Sequence, residues 1–394
     1  MLVTLNAITT KITKGTTPTS VGCTFENSGV NYIKSESLGS SRNINKSKFA
    51  FISEQTHEKL KRSQIEKNDI LFSMAGMFLG KTGIVTADLV PANTNQAVAI
   101  IRIDNEKANH EYVYYYLNLK SVMQAINASS AQSAQPNINL KQIGQLEIDL
   151  PGRKVQDKIV SILSAIDFKI EKNKQINENL EQQAQTIFAN EFLSLESLPD
   201  GWKRGSLIDI ADYLNGLAMQ KYRPTADEVG IPVLKIKELR QGSCDATSEL
   251  CSPNIKTNYI IHDGDVIFSW SGSLLVDFWC GGICGLNQHL FNVTSNVYDK
   301  WFYYAWTKHH LERFIAVAAD KATTMGHIKR DELSKAEVLI PNETDYNRIG
   351  ALLHPIYDLI IKTRIESKKL AETRDTLLPK LMSGEIDISE VDYE

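Results

Sequence analysis

Two long stretches of the chain carry apolar residues at alternating spacings of three and four. The first runs Ile159, Leu163, Ile166, Ile170, Asn173, Asn177, Leu180, Ala184, Ile187, and the second Ile349, Leu353, Ile356, Ile360, Thr363, Ser367, Leu370, Arg374, Leu377. Each position of the second lies 190 residues after its counterpart. The spacing predicts two long helices with one stripe apiece, and matched stripes predict that they pack along each other as a coiled coil. A single stripe would fit a helix lying on a globular core; two in register favour mutual packing. Uncharged polar residues interrupt both stripes at the same place, so Asn173 and Asn177 are expected near Thr363 and Ser367, where they would fix register.

The repeat continues upstream of each helix. INLKQIGQLEIDLP, ending at Pro151, parallels IKRDELSKAEVLIP, ending at Pro341. Weaker echoes pair Lys14-Gly15 with Asn215-Gly216, Asp69 with Asp265, Asn95-Gln96 with Asn287-Gln288, and the run from Glu111 with that from Lys300. Short β-branched and aromatic runs broken by Gly, Asn and Ser predict a mixed α+β domain, written twice. The expected order is a domain over 1–150, a long helix over 151–198, a second domain over 199–340, and a second helix and tail over 341–394.

Composition narrows the class. A 42% hydrophobic content with 23% charged residues fits packed cores and excludes wholesale disorder. No apolar run approaches a membrane span and no secretion signal opens the chain, so a cytoplasmic location is expected. Five cysteines, an odd number, argue against a disulfide framework. The net charge of -4 counts against binding driven by bulk charge, but the acidic excess sits at the C-terminal end. Lys and Arg number 15 against 12 acids in 1–150, and 15 against 17 in 199–340, enough for local basic patches.

Catalytic patterns are sparse. Ala75 followed by Gly80-Lys81-Thr82 satisfies a relaxed phosphate-loop pattern, but β-branched residues follow where a helix is required, and the second copy lacks the Lys. Cys244, Cys251, Cys280 and Cys284 lack the paired short spacings of a zinc site and read as free thiols. His309-His310 cannot share one helix face. Glu366-Ser367-Lys368 reads as a solvated helix face rather than part of a nuclease centre. No catalytic residue, metal or cofactor is expected.

Several motifs together resemble the specificity subunits of type I DNA restriction-modification systems. The most specific is LLPKLMSGEI from Leu377 to Ile386, then LPDGWK from Leu198 to Lys203, with KGTTP from Lys14, AQPNINLKQI from Ala134 and GLNQH from Gly285 in support. The resemblance covers essentially the whole chain. It implies two target recognition domains joined by two long antiparallel helices with pseudo-twofold symmetry. It also implies double-stranded DNA as ligand, DNA methyltransferase and restriction-translocase subunits as partners, and no chemistry in this chain. Each domain would read half of a two-part target, and the helix pair would set the gap and dock methyltransferase subunits. A helical scaffold without DNA contact is the alternative, and a nucleotide-dependent enzyme using Lys81 a third.

DNA contacts are expected on equivalent loops. In the first domain these are Lys14, Thr16, Ser41, Arg42, Asn43, Lys46, Asn95 and Gln135; in the second, Lys221, Arg223, Lys237, Arg240, Gln288, His289, Lys321 and Thr324. Arg and Lys suit guanine or phosphate, Asn and Gln suit adenine, and all are expected among turn residues.

Overall fold

The computed structural model describes residues 1–39, 41–130, 137–320, 328 and 330–388. The chain divides into two compact units, one of Met1–Phe168 with Glu372–Glu394 and the other of Lys169–Ala371.

Among the described residues the first unit holds ten strands. They are β1 (Leu2–Thr4), β2 (Thr9–Lys14), β3 (Val30–Ile33), β4 (Ala50–Ile52), β5 (Gln64–Ile65), β6 (Ile70–Ser73), β7 (Thr82–Ile84), β8 (Ala92–Thr94), β9 (Val98–Ile103) and β10 (Glu147–Asp149). They form the ribbon β1-β10 and the four-stranded sheets β2-β9-β6-β7 and β4-β3-β8-β5, with β3 parallel to β8. The second unit holds β11 (Lys203–Ser206), β12 (Asp212–Asn215), β13 (Ile231–Leu234), β14 (Leu250–Cys251) and β15 (Ile260–Ile261). It continues with β16 (Val266–Ser269), β17 (Leu275–Phe278), β18 (Cys284–Leu286), β19 (Leu290–Thr294) and β20 (Glu337–Ile340). Adding ten to each strand number of the first unit reproduces every sheet of the second, including the parallel pair β13-β18.

The central strands read as nearly unbroken apolar runs because both faces are covered. In β6 and β9, Ile70, Phe72, Ala99 and Ile101 enter one core with the flanking helices, while Leu71, Val98 and Ile100 enter another. The second unit splits the same way, with Val266, Phe268, Phe291 and Val293 on one side and Ile267 and Leu290 on the other. Successive side chains on a strand point to opposite faces, so one run serves two cores.

A helix packs on each first sheet, His110–Leu117 in one unit and Lys300–His309 in the other. Their starts correct the pairing of Glu111 with Lys300. Asn109 precedes the first helix and its N–H donates to Gln156 Oε1 at 2.8 Å; Asp299 precedes the second and its N–H donates to Tyr346 Oη at 2.8 Å. Both elements of this arrangement repeat at 190, so His110 is the counterpart of Lys300. A composition match alone could not separate two registers of aromatic-rich helix.

The long helices are Arg153–Phe188, prolonged by a wide turn over Ala189–Leu193, and Glu343–Ser383. Each contributes one part to each unit. Within the second unit they run antiparallel, since Glu191 pairs with Arg348, Glu181 with Arg364, and Asn173 with Ser367. Within the first, Asp167 pairs with Arg374, and Lys158 donates to the Ile388 carbonyl.

No helix among the described residues is long and apolar enough to cross a membrane. All five cysteines are free, with Cys251, Cys280 and Cys284 buried; burial pushes the Cys280 thiol up to about 12.

Candidate nucleic-acid interface

In each unit the loop after β2 or β12 passes against the loop that leads from β8 to β9 or from β18 to β19. Gly15 donates to the Val98 carbonyl and Thr16 to that of Thr94; Gly216 donates to Leu290 and Leu217 to Leu286. A Cβ on Gly15 would overlap the Thr94 carbonyl, and one on Gly216 would overlap that of Asn287, so the approach requires glycine in both places. Asn95 and Asn287 each accept from the backbone N–H two residues on, at 3.1 and 3.3 Å. The two units therefore carry one backbone niche with different side chains on it.

In the first unit the niche is a 410 Å³ depression lined by Lys14, Gly15, Thr16, Thr17, Thr19, Ser20, Arg62 and Gln96, with no acid among them. Tyr32 braces it from beneath, its hydroxyl donating to the Thr16 carbonyl, and burial pushes the phenol up to about 12. Thr17 donates to Gln96, and Arg62 reaches the Thr16 hydroxyl at 3.4 Å. In the second unit the strand registers and turn hydrogen bonds place Asn215 at the position of Lys14, Leu217 at Thr16, Asn258 at Arg62, His289 at Ala97, and Trp270 at Met74. Trp270 donates to Asn215 Oδ1 at 2.9 Å, and His289 Nδ1 shares a 3.0 Å hydrogen bond with the Ser271 hydroxyl.

The expected contact residues divide into those brought to the niche and those held elsewhere. Lys14 and Thr16 line the first niche, Asn95 forms its turn, and Gln288 and His289 lie at the second. Lys221 joins them, because its N–H bonds to Ala218 as that of Ser20 bonds to Thr17. Ser41 and Asn43 form an exposed turn beside Arg42. Arg42 is bound by two hydrogen bonds to Glu111; burial works against its charge, but Glu111 more than offsets this and holds the guanidinium above its usual range. Lys46 pairs with Asp88 and draws that carboxyl down to about 2. Arg223 pairs with Glu249, and Lys237 with Asp245. Arg240 is exposed, with no acid partner among the described residues. Lys237 and Arg240 sit on the short helix Ile236–Gln241, which corrects the expectation of turn residues there. Gln135, Lys321 and Thr324 lie outside the described residues.

Arg62 and Thr17 complete the first niche without having been singled out in the sequence. Arg62 lies in the run HEKLKRSQ, about fifty residues from Lys14, and only the sheet pairing joins them. Trp270 had a signal, since NDILFSMAG against GDVIFSWSG already sets it opposite Met74.

All the stripe positions Ile159, Leu163, Ile166, Ile170, Asn173, Asn177, Leu180, Ile349, Leu353, Ile356, Ile360, Thr363, Ser367 and Leu370 are buried or half-buried. Asn173 Nδ2 donates to Glu366 Oε2 at 2.7 Å, to Ser367 Oγ at 3.2 Å and to the Thr363 carbonyl at 3.4 Å, and the Thr363 hydroxyl donates to Asn177 Oδ1. Asn173 is fully buried, so these polar atoms meet inside the helix pair.

The Gly80-Lys81-Thr82 segment lies between two antiparallel strands, with the Gly80 N–H already donated to the Ser73 carbonyl, so it cannot cradle a phosphate as a strand-to-helix loop does. Among the described residues no cluster of His, Cys, Asp or Glu could hold a metal ion.

Comparison with known proteins agrees with the repeat. The type I restriction modification DNA specificity domain matches twice, over residues 2–182 and 199–372. The type I restriction enzyme MjaIX specificity subunit of Methanocaldococcus jannaschii is 26% identical over 78% of this chain and 76% of its own. The HindI specificity subunit of Haemophilus influenzae is 20% identical over 82% of this chain and 88% of its own. The crystal structure of a type I restriction-modification S subunit from M. genitalium shares the fold with TM-score 0.59 and 17% identity, covering 97% of this chain and 95% of that one. With the family model spanning both halves of a structure that repeats strand for strand, the chain belongs to the type I restriction-modification DNA specificity family.

Proposed function

We propose that this chain is the DNA-reading subunit of a type I restriction-modification complex, each domain recognising one half of a two-part duplex target. The observation that carries the reading is the duplicated niche. One backbone arrangement presents Lys14, Thr16, Arg62 and Gln96 in one domain and Asn215, Trp270, Gln288 and His289 in the other. A reader of two different half-sites needs a constant scaffold with variable hydrogen-bonding side chains, because specificity comes from base edges and position from the backbone. The chain acts without catalytic residues of its own in the cytoplasm, and methyltransferase and restriction-translocase subunits supply the chemistry.

The helix pair serves as spacer and docking element. At ~1.5 Å per residue its helices of 36 and 41 residues are about 54 and 62 Å long, more than one turn of duplex. The test is methylated-base mapping in cells carrying the partner subunits with and without this chain. Two-part methylated sites should vanish without it. A seven-residue insertion after Asn177 and another after Ser367 preserve both stripes and should widen the gap while leaving the half-sites unchanged. An unaltered methylation pattern on removal, together with no salt-sensitive retention of DNA by the complex, would favour a helical scaffold instead.

A further inference from the structure

Lys14 and Arg62 come from elements far apart in sequence and meet in one depression, with no acid in its lining. Neither has a carboxylate partner among the described residues, whereas Arg42, Lys46, Arg102, Arg223 and Lys237 are all paired. Other cations of the chain, Arg240 for one, also lack an acid partner among the described residues, but Lys14 and Arg62 share one depression that no carboxylate lines. Their mutual repulsion is relieved by an anion, and the hydroxyls of Thr16 and Thr19 and the Gln96 amide supply hydrogen-bonding groups around it. Holding the cations there falls to the Gly15 close approach and the buried Tyr32 hydroxyl.

We infer that this niche is a backbone-phosphate subsite, in which Lys14 and Arg62 grip a DNA phosphodiester and fix the first domain on its half-site without reading sequence. The second domain has Asn215 and Asn258 in the same two positions, so its niche lacks this grip; its cation, Lys221, stands where the first has Ser20. The inference rests on the DNA-reading function proposed above and adds that the two domains divide the work unequally. The first contributes more of the charge-driven affinity, and the second relies more on neutral hydrogen bonding around Trp270 and His289.

The salt dependence of duplex binding by the complex of this chain with its methyltransferase subunits tests this. Each lost phosphate contact lowers the slope of log affinity against log salt by about one. The double variant Lys14→Gln with Arg62→Gln should lower it by about two and weaken target and unrelated duplexes by the same factor. The reverse graft, Asn215→Lys with Asn258→Arg, should raise the slope, which guards against loss through misfolding. An unchanged slope in the double variant, or a changed target choice at constant slope, overturns the subsite while leaving the function standing. Absence of DNA retention by the unaltered complex at low salt would instead overturn the function itself.

Discussion

The two domains pair all their strands alike yet fill the same junction in different ways. Where the Lys300–His309 helix meets the long helices, the second unit packs rings: Phe192 lies 5.0 Å from Phe188, 5.3 Å from Trp306 and 5.6 Å from Trp202. The equivalent place in the first unit has Met382 for Phe192, Leu378 for Phe188 and Leu119 for His309. It leaves a cleft of about 610 Å³, open on one side, lined by Leu119, Met123, Leu378 and the Asp167–Arg374 pair together with Lys81, Asn118 and Lys120. Strand topology is set by alternation and turns, which both copies keep. Junction volume is set by side chains, which have diverged. A duplicated fold therefore tolerates different cores as long as the sheet pattern survives.

The largest test of that contrast is Phe192→Ala, which should cost about 3–5 kcal/mol by removing a ring from a closed aromatic cluster. All five tryptophans lie between Trp202 and Trp306, so fluorescence excited selectively at tryptophan reports this unit alone during denaturation. Met382→Ala should shift the circular dichroism transition of the first unit by about 2 kcal/mol and leave the fluorescence transition in place. Coincident shifts in both probes would mean that the units do not unfold separately.

Next is Arg374→Met. It strips Asp167, whose side chain is 9% exposed, of its 2.7 Å partner and leaves only the Tyr115 hydroxyl. The expected loss is about 2–3 kcal/mol, because a largely buried carboxylate loses its countercharge. Changing Asp167→Asn as well should recover part of it. A double variant no better than the single one would show that packing of the Arg374 stem, not charge, matters.

Filling the cleft should have the opposite sign. Leu378→Phe installs the residue type that the second unit has at Phe188 and should stabilise the first unit by about 0.5–2 kcal/mol. A loss of stability would show that the cleft walls are too rigid to accept a ring.

The smallest effect concerns the polar node. Asn173 donates to Glu366 and so holds that carboxyl below its usual range; Lys169 adds to this. A depressed carboxylate contributes stability above its unfolded pKa and loses it as pH falls through the folded value. Asn173→Leu should return Glu366 toward the ordinary range in an NMR titration and weaken the acid dependence of unfolding. It also removes the Asn173 Oδ1 atom, which is buried without a hydrogen-bond partner, so overall stability should change little.

Much of the architecture was legible because the long stripes and the terminal motifs are local patterns. The stripe from Ile159 and the stripe from Ile349 fix two helices, and their identical offset fixes the duplication. The niche was legible only in part. Gly15, Asn95 and Gln288 echo across the repeat, but Arg62 reaches Lys14 through sheet pairings that no spacing rule encodes. Nor could residue type tell an available cation from one already neutralised: Arg42 and Lys14 look alike in the sequence, and only the structure sets Glu111 beside the first.

The helices are shared in a nested order, and this bears on biosynthesis. Leu378, Leu381, Met382 and Ile388 belong to the same core as Leu5, Ile70 and Ile101, while the whole second unit lies between them in the chain. The domain translated first therefore has to wait for residues 372–388, keeping apolar surface uncovered while the ribosome makes the other. The second unit is complete by Ala371 and draws on nothing from Glu372 onward. Vectorial synthesis thus inverts the order of the domains: the early one matures late, and it is the one a chaperone would have to shield.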